Sequence, residues 1–327
     1  MKKNTFRFSR ITSPKDFEVE ALATFQRQYE LNNVYRAYCD LLNCSPAEIH
    51  SSNEIPFLPI QFFKSHQIKC FEASPKITFQ SSGTTTTINA QHLIFDEKFY
   101  EESFQKCFEN HYGRPNDWAI LALLPSYMER QGSSLIYMME ALIQQSEHPA
   151  SGFYLNEFEQ LHQQLLALEE QEQPTLLLGV SFALLDFVEK YPLSLKHTIV
   201  METGGMKGRR KEMIREDLHN SLQQGFGLQQ IHSEYGMTEL LSQAYSKGKG
   251  RFTSPPWMKV IAQEINDPFS AINDTKIGRL NIIDLANQES CAFIATDDLG
   301  RVFPDGSFEV MGRLDQSDVR GCNLLVY

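Results

Sequence analysis

The sequence predicts an α/β fold with a largely parallel sheet, followed by an antiparallel β region. Three observations carry that prediction. Short apolar runs without polar alternation recur at 118–124, 175–180 and 197–201, the pattern of strands buried on both faces. Between them lie longer stretches with apolar residues at helical spacing. Beyond about residue 250 the texture changes to short segments separated by turn residues.

Taken in chain order, residues 16–45 place Phe17, Val19, Ala21, Leu22, Phe25, Tyr29, Val34, Tyr35, Tyr38 and Leu41 near a helical period that breaks around Asn32-Asn33. Ser45-Pro46-Ala47-Glu48 reads as a capped helix start with proline at its first position. Ile77-Thr78-Phe79-Gln80 reads as a short strand running into the small polar loop Ser81-Ser82-Gly83-Thr84-Thr85-Thr86-Thr87. An amphipathic helix follows over 95–112, then the buried strand 118–124, stopped by Pro125, then a helix over 135–143. Residues 163–173, rich in Gln, Glu and Leu, read as a solvated helix end and loop. The strand 175–180 leads into a helix through Phe182, Leu185 and Val188, and the strand 197–201 leads into Thr203-Gly204-Gly205. Past Pro255-Pro256-Trp257, segments 258–262, 279–283, 291–295 and 307–310 are separated by turns such as Asp305-Gly306. The chain therefore divides into 1–250, a helical N-terminal segment with an α/β core for nucleotide and acyl group, and 251–327, a β subdomain.

Composition narrows the function. Hydrophobic residues make up 42% and charged residues 22% of 327, the balance of an ordinary globular enzyme. A net charge of −11 argues against nucleic-acid partners, which demand a positive surface. No apolar run is long enough to span a bilayer, and no apolar signal core follows the basic N-terminus, so a cytoplasmic location is expected. The six cysteines contain no CxxC pair, which disfavours a zinc site or a disulfide framework. Paired metalloprotease histidines and a Gly-x-Ser-x-Gly elbow are absent.

Three short motifs carry chemistry. Ser81, Ser82, Gly83, Thr84 and Thr85 offer hydroxyl and backbone N–H groups that can converge on phosphate oxygens, although no Gly-Lys-[Ser/Thr] makes the loop a Walker motif. A plain turn is the bland alternative. In His232-Ser233-Glu234-Tyr235-Gly236-Met237-Thr238-Glu239, Thr238 can donate to a phosphate oxygen and Glu239 can hold Mg²⁺; a capped helix start is the alternative. Near the C-terminus, Thr296-Asp297-Asp298-Leu299-Gly300 supplies carboxylates suited to ribose hydroxyls, and Gly312-Arg313-Leu314-Asp315 follows it; two β-turns are the alternative.

Together and in this order, over about 235 residues, the motifs resemble those of the adenylate-forming superfamily of acyl-CoA synthetases, luciferases and peptide-synthetase adenylation domains. Residues 81–87 match its phosphate loop, 235–239 its Tyr-Gly-x-Thr-Glu motif, 296–298 its Thr-x-Asp region and 312–315 its Gly-Arg-x-Asp hinge. The stretches Leu124-Pro125-Ser126-Tyr127-Met128-Glu129-Arg130-Gln131-Gly132-Ser133-Ser134-Leu135 and Glu202-Thr203-Gly204-Gly205-Met206-Lys207-Gly208-Arg209 look more closely like LuxE-type acyl-protein synthetases, and more distantly like phenylacetate-CoA ligases.

The resemblance implies the large N-terminal domain of the adenylate-forming fold with an antiparallel β subdomain, the small C-terminal domain being largely absent. It implies ATP and Mg²⁺ as cofactors, a fatty or aryl carboxylic acid as substrate, and an acyl-CoA reductase or an acyl-carrier thiol as partner. By the same resemblance Ser81, Ser82, Gly83 and Thr84 close over the β- and γ-phosphates, Thr238 holds the α-phosphate and Glu239 the metal. Gly204 and Gly205 admit adenine, Tyr235 stacks on it, Asp297 takes the ribose hydroxyls, with Asp298 adjacent, and Arg313 approaches ribose or phosphates. Cys322, in a short tail after Arg320-Gly321, corresponds to the acylated cysteine of the LuxE type, against the plainer reading of a structural thiol. The sequence departs from the superfamily in that twelve residues follow Asp315, which leaves the usual C-terminal-domain lysine without a counterpart. Two other functions stay open at this point: a non-catalytic nucleotide- or acyl-binding scaffold for a reductase, and an acyl-CoA ligase whose small domain lies on another chain.

Overall fold

A computed structural model of the chain describes residues 6–81, 89–125, 132–205, 210, 213–265 and 275–314. Helix α1 (Pro14–Leu31) starts at Ser13, whose hydroxyl accepts from Asp16 N–H, with proline at the first position. Its break from α2 (Asn33–Leu41) falls at Asn32, as expected. The Asn32 side-chain oxygen accepts from Val34 and Tyr35 N–H, so one residue ends one helix and caps the next. Ser45–Glu48 differs from expectation. The Ser45 hydroxyl and N–H both meet Glu48, but the chain makes only a turn there before Ser51 caps a separate 3₁₀ turn. A capping signal without an apolar stripe behind it does not propagate a helix.

β1 (Leu58–Pro59) and the single turn α3 (Phe62–Ser65) lead to a hairpin of β2 (Ile77–Gln80) and β3 (Gln91–Ile94). Helix α4 (Glu97–Tyr112) is capped by Asp96. The α/β core then alternates β4 (Ala119–Leu123), α5 (Ser134–Ser146), β5 (Gly152–Tyr154), α6 (Phe158–Glu170), β6 (Thr175–Val180), α7 (Ser181–Lys190), β7 (Thr198–Thr203), α8 (Arg215–Phe226) and β8 (His232–Tyr235). α6 ends at Glu170 and a turn follows, the helix end and loop expected over 163–173, but its apolar face is buried through Leu161, Leu165 and Leu168. The remaining strands are β9 (Ala244–Ser246), β10 (Arg251–Thr253), β11 (Met258–Gln263), β12 (Gly278–Asp284), β13 (Phe293–Val302) and β14 (Phe308–Arg313).

These strands form one sheet in the order β11-β12-β13-β14-β10-β9-β8-β7-β6-β4-β5, with β1 added in parallel to β13. The run from β5 to β8 is parallel, as the uniformly apolar strands predicted. From β8 to β9 onward the pairing is antiparallel. The antiparallel unit expected near the C-terminus is thus present and joined edge to edge with the parallel core.

Thr296, Asp297 and Asp298 lie inside β13, and Gly312 and Arg313 inside β14, with Asp298 paired to Arg313 and Leu299 to Gly312. Neither segment is a β-turn. The strands come very close at Gly300, where an added Cβ would lie 1.9 Å from the backbone oxygen of Glu309. No rotamer change relieves a clash with backbone. Gly300→Ala is therefore expected to lose at least the ~1–3 kcal/mol of an overpacked site, whereas Gly152→Ala, which meets nothing within 4 Å, stays within about 0.5 kcal/mol of wild type. Urea unfolding of both variants checks this; equal stabilities would mean that β13 and β14 separate freely.

Candidate active site

Two of the expected motifs meet at one edge of the parallel sheet. β7 ends at Thr203 and enters Gly204, which has φ +70°, and then Gly205, beside open space. Its parallel neighbour β8 ends at Tyr235, with exposed Gly236 just beyond. Open α/β sheets bind ligands outside the carboxyl ends of such strands. The third motif comes in from the antiparallel side. The buried Tyr235 hydroxyl donates to Asp298 Oδ2 at 2.7 Å, and Arg313 Nε donates to Asp298 Oδ1 at 3.1 Å. The Tyr235 ring packs edge-on against Phe308 at 5.4 Å. Burial, followed by the Asp298 charge, pushes this phenol well above its usual range. The rest of the Arg313 side chain is exposed at 78% and faces solvent.

Thr238 and Glu239 sit on the connection between β8 and β9, and its backbone is held by buried side chains. His92 Nδ1 lies 2.8 Å from the Thr238 carbonyl oxygen, and Asn287 Nδ2 donates to the Glu239 carbonyl at 2.8 Å. Asp284 accepts from Leu241 N–H, Ser242 N–H and the Ser242 hydroxyl. The Glu239 carboxylate itself is buried, yet among the described residues no side chain donates a hydrogen bond to it. Burial pushes its pKa up to about 7, opposed by its own N–H and by the charges of Arg313 and Lys64, with Asp298 adding to the rise.

The remaining expected residues fall as follows. Asp297 does not join the Tyr235 group. On a strand successive side chains alternate, so Asp297 points to the other face of β13, where Gln61 Nε2 lies 2.7 Å from both its oxygens. Asp298 is the carboxylate brought to Tyr235 and Arg313. Ser81 closes the base of the β2–β3 connection: its N–H donates to Ala90 O and its hydroxyl accepts from Ala90 N–H. Ser82, Gly83, Thr84, Thr85 and Cys322 lie outside the described residues. Arg210 pairs with Asp186 and Glu189 on α7. His232 Nδ1 lies 3.1 Å from the Tyr112 hydroxyl, and burial lowers its pKa to about 4. The described cysteines make poor nucleophiles. Burial pushes Cys39 and Cys70 up to about 12 and raises Cys107 and Cys291 further, and it also raises Cys44.

Sequence reasoning missed His92, Gln61, Lys64, Asp284 and Asn287. Their importance comes from partners up to 236 residues away, for which a single sequence carries no signal. The site fits a magnesium nucleotide. It offers a buried carboxylate without a side-chain donor, and the cations Arg313 and Lys64 nearby for anionic oxygens. Among the described residues no group of three or more His, Cys, Asp or Glu is placed to hold a metal. A metal at Glu239 would take its other ligands from phosphate and water, as Mg²⁺ commonly does.

Comparison with known proteins identifies the family and the fold. The model of the family described as "Acyl-protein synthetase, LuxE" matches residues 132–327, more than half of the chain. A long-chain-fatty-acid–luciferin-component ligase of Aliivibrio fischeri is 23% identical, over 92% of this chain and 85% of the relative. The crystal structure of 2-hydroxyisobutyryl-CoA ligase in complex with its acyl-AMP and CoA aligns with a TM-score of 0.65 at 11% identity, covering 92% of this chain and 70% of that one. ATP-bound MatB from Rhodopseudomonas palustris aligns with a TM-score of 0.55 at 14% identity, covering 74% of this chain. The match takes in about half of MatB's own length (49%). At these identities the two structures establish the fold.

The state of Glu239 has a measurable consequence. Its folded pKa, about 7, lies above the 4.5 of a free glutamate. Folded protein thus holds a proton that unfolded protein releases, and stability drains away as pH rises from about 4.5 to 7. Glu239→Gln removes that loss. Without metal or nucleotide, its stability gain over wild type is expected to be roughly 2–3 kcal/mol larger at pH 8 than at pH 5. Denaturant titrations at the two pH values measure it; a gain independent of pH would mean Glu239 is ionised throughout.

Proposed function

This chain belongs to the LuxE acyl-protein synthetase family, and we propose that it uses ATP to convert a long-chain carboxylic acid to its acyl-adenylate and then passes the acyl group to a thiol of a partner protein or carrier. The observation that carries the reading is the buried Glu239 carboxylate beside Thr238, held at the carboxyl edge of the parallel sheet against the Tyr235–Asp298–Arg313 group. The acid class follows the fatty-acid ligase of Aliivibrio fischeri. No helix among the described residues is long and apolar enough to cross a membrane, which accords with a protein that works in the cytoplasm.

In the reaction an acid oxygen attacks the α-phosphorus, a new O–P bond forms, and the bond to pyrophosphate breaks. The chemical difficulty is the approach of two anions. Bound Mg²⁺ supplies positive charge for the phosphate oxygens, and Glu239 is the residue that would hold it. Thr238 donates its hydroxyl to the α-phosphate, where charge builds in the transition state. Arg313, with solvent-facing N–H groups beyond its bond to Asp298, supports the anionic side. Gly205, beside open space after the left-handed turn at Gly204, leaves room for the flat base next to Tyr235. Asp298, bonded to Tyr235 and Arg313, is the carboxylate assigned to the ribose hydroxyls here, in place of the Asp297 expected from the sequence.

Acid-dependent pyrophosphate release tests this, with ATP and Mg²⁺ over a panel of fatty and aryl acids. Release with a defined acid class is expected. Thr238→Ala should lower kcat by about 10²-fold, the loss typical of one transition-state donor, and Glu239→Ala should also raise the Mg²⁺ requirement. Asp298→Asn should weaken ATP binding more than Asp297→Asn. Measurable ATP binding with no release for any acid would overturn the reading.

A further inference from the structure

The buried polar groups behind Thr238 and Glu239 point to a residue the reaction has not yet used. His92 lies on β3, the strand that follows the expected phosphate loop in the chain, and it is almost wholly buried. Its Nδ1 faces only the Thr238 carbonyl oxygen, which can only accept, whereas Nε2 has the Ser290 hydroxyl as a donor beside the accepting Asn287 oxygen; the Nδ1–H tautomer is the one that gives both ring nitrogens a partner. Nε2 faces the Ser290 hydroxyl at 2.8 Å and the Asn287 side-chain oxygen at 3.0 Å. Asn287 in turn donates to the carbonyl of Glu239, the next residue. The Phe63 ring closes the other side of the imidazole edge-on, at 5.7 Å and 87°.

The carbonyl of Thr238 belongs to the peptide unit that also carries the Glu239 N–H. A hydrogen bond to it fixes that peptide plane, from which the two side chains assigned to the α-phosphate and the metal project. We propose that His92 is a positioning residue of the adenylation site, its Nδ1–H clamping the Thr238–Glu239 peptide to β3 and to the Asn287–Ser290 pair. The inference rests on the function proposed above. It concerns geometry and not charge: His92 touches no reacting atom. The expected signature is a fall in kcat with little change in ATP affinity, because the clamp sets how Thr238 meets the transition state. A misplacement of about 1 Å at such a group can cost on the order of 10²-fold.

The amides of two conservative variants separate this role from mere filling of space. The Asn side-chain N–H₂ stands where Nδ1 does, so His92→Asn keeps a donor to Thr238. His92→Gln places its N–H₂ where Nε2 stands and leaves the carbonyl without a donor. Pyrophosphate release, ATP affinity by calorimetry and thermal midpoint are measured for wild type and both variants. His92→Gln is expected to lose about 10²-fold in kcat with the ATP Kd within about threefold of wild type, and His92→Asn to return within about tenfold. Equal losses in the two variants, or losses that follow the thermal midpoint, would overturn the clamp. Nitrogen NMR of histidine-labelled wild type gives a check that needs no variant: the Nδ1–H tautomer supports the clamp, and the Nε2–H tautomer refutes it. If wild type releases no pyrophosphate, the proposed function falls, and the tautomer alone then decides whether the clamp exists.

Discussion

Everything at the site depends on how a short irregular stretch of backbone is satisfied away from water. Between the last parallel strand and the first antiparallel one, residues 236–243 cross the interior, and buried N–H and C=O groups without partners would each cost about 1–3 kcal/mol. They are met by side chains, not by a ladder: His92 and Asn287 for the carbonyls of Thr238 and Glu239, Asp284 for the N–H groups of Leu241 and Ser242. The residues that do this are themselves held from behind. Gln28 of α1 donates to Asn287 O and accepts from Ala292 N–H, and Asn32 donates to Ser290 O. A buried polar chain thus runs from the N-terminal helices, through the turn between β12 and β13, to the two residues on which the chemistry would turn.

This arrangement explains why the N-terminal helical segment, which carries none of the recognised motifs, belongs to the working part of the molecule. Asn32, at the end of α1, caps α2 with its side-chain oxygen and donates its amide N–H to the carbonyl of Ser290. β1 adds to β13 beside Ile294 and Ala295, just before Asp297 and Asp298. Gln61, in the turn after β1, then takes up the Asp297 carboxylate. Disturbing these elements would move β13 and the turn before it, and with them the support for Asp298, Thr238 and Glu239.

The sequence made the parallel core legible because strands buried on both faces need apolar residues at every position, as in Thr175–Val180. It made the motif order legible for a related reason: glycines, hydroxyls and carboxylates crowd where backbone must approach a ligand. What it hid was partnership. Nothing local distinguishes His92 or Asn287 from any buried polar residue, since their partners lie 146 and 48 residues away in the chain. The choice between Asp297 and Asp298 was hidden for a different reason. It turns on strand parity, and Asp-Asp-Leu-Gly reads locally as a turn. Once β13 is known to run to Val302, the alternation of faces decides which carboxylate meets Tyr235.

Two other buried carboxylates show that this fold can supply side-chain and backbone donors to such a group. Asp284 accepts three bonds from Leu241 and Ser242 and a fourth from Ala286 N–H. Glu202, beneath the Gly204–Gly205 pair, is opposed by burial but held below the usual carboxylate range by His219, the Arg215 charge and Ser233. Ser181 donates to it as well. Glu239, also buried, accepts its own backbone N–H but receives no side-chain donor among the described residues, and burial raises its pKa, as it does that of Asp284 and not that of Glu202. A buried carboxylate met by no side-chain donor among the described residues is destabilising in the free protein, and strongly perturbed groups of this kind gather where function demands them. The function proposed for the chain gives this carboxylate a partner, the cation that accompanies the nucleotide.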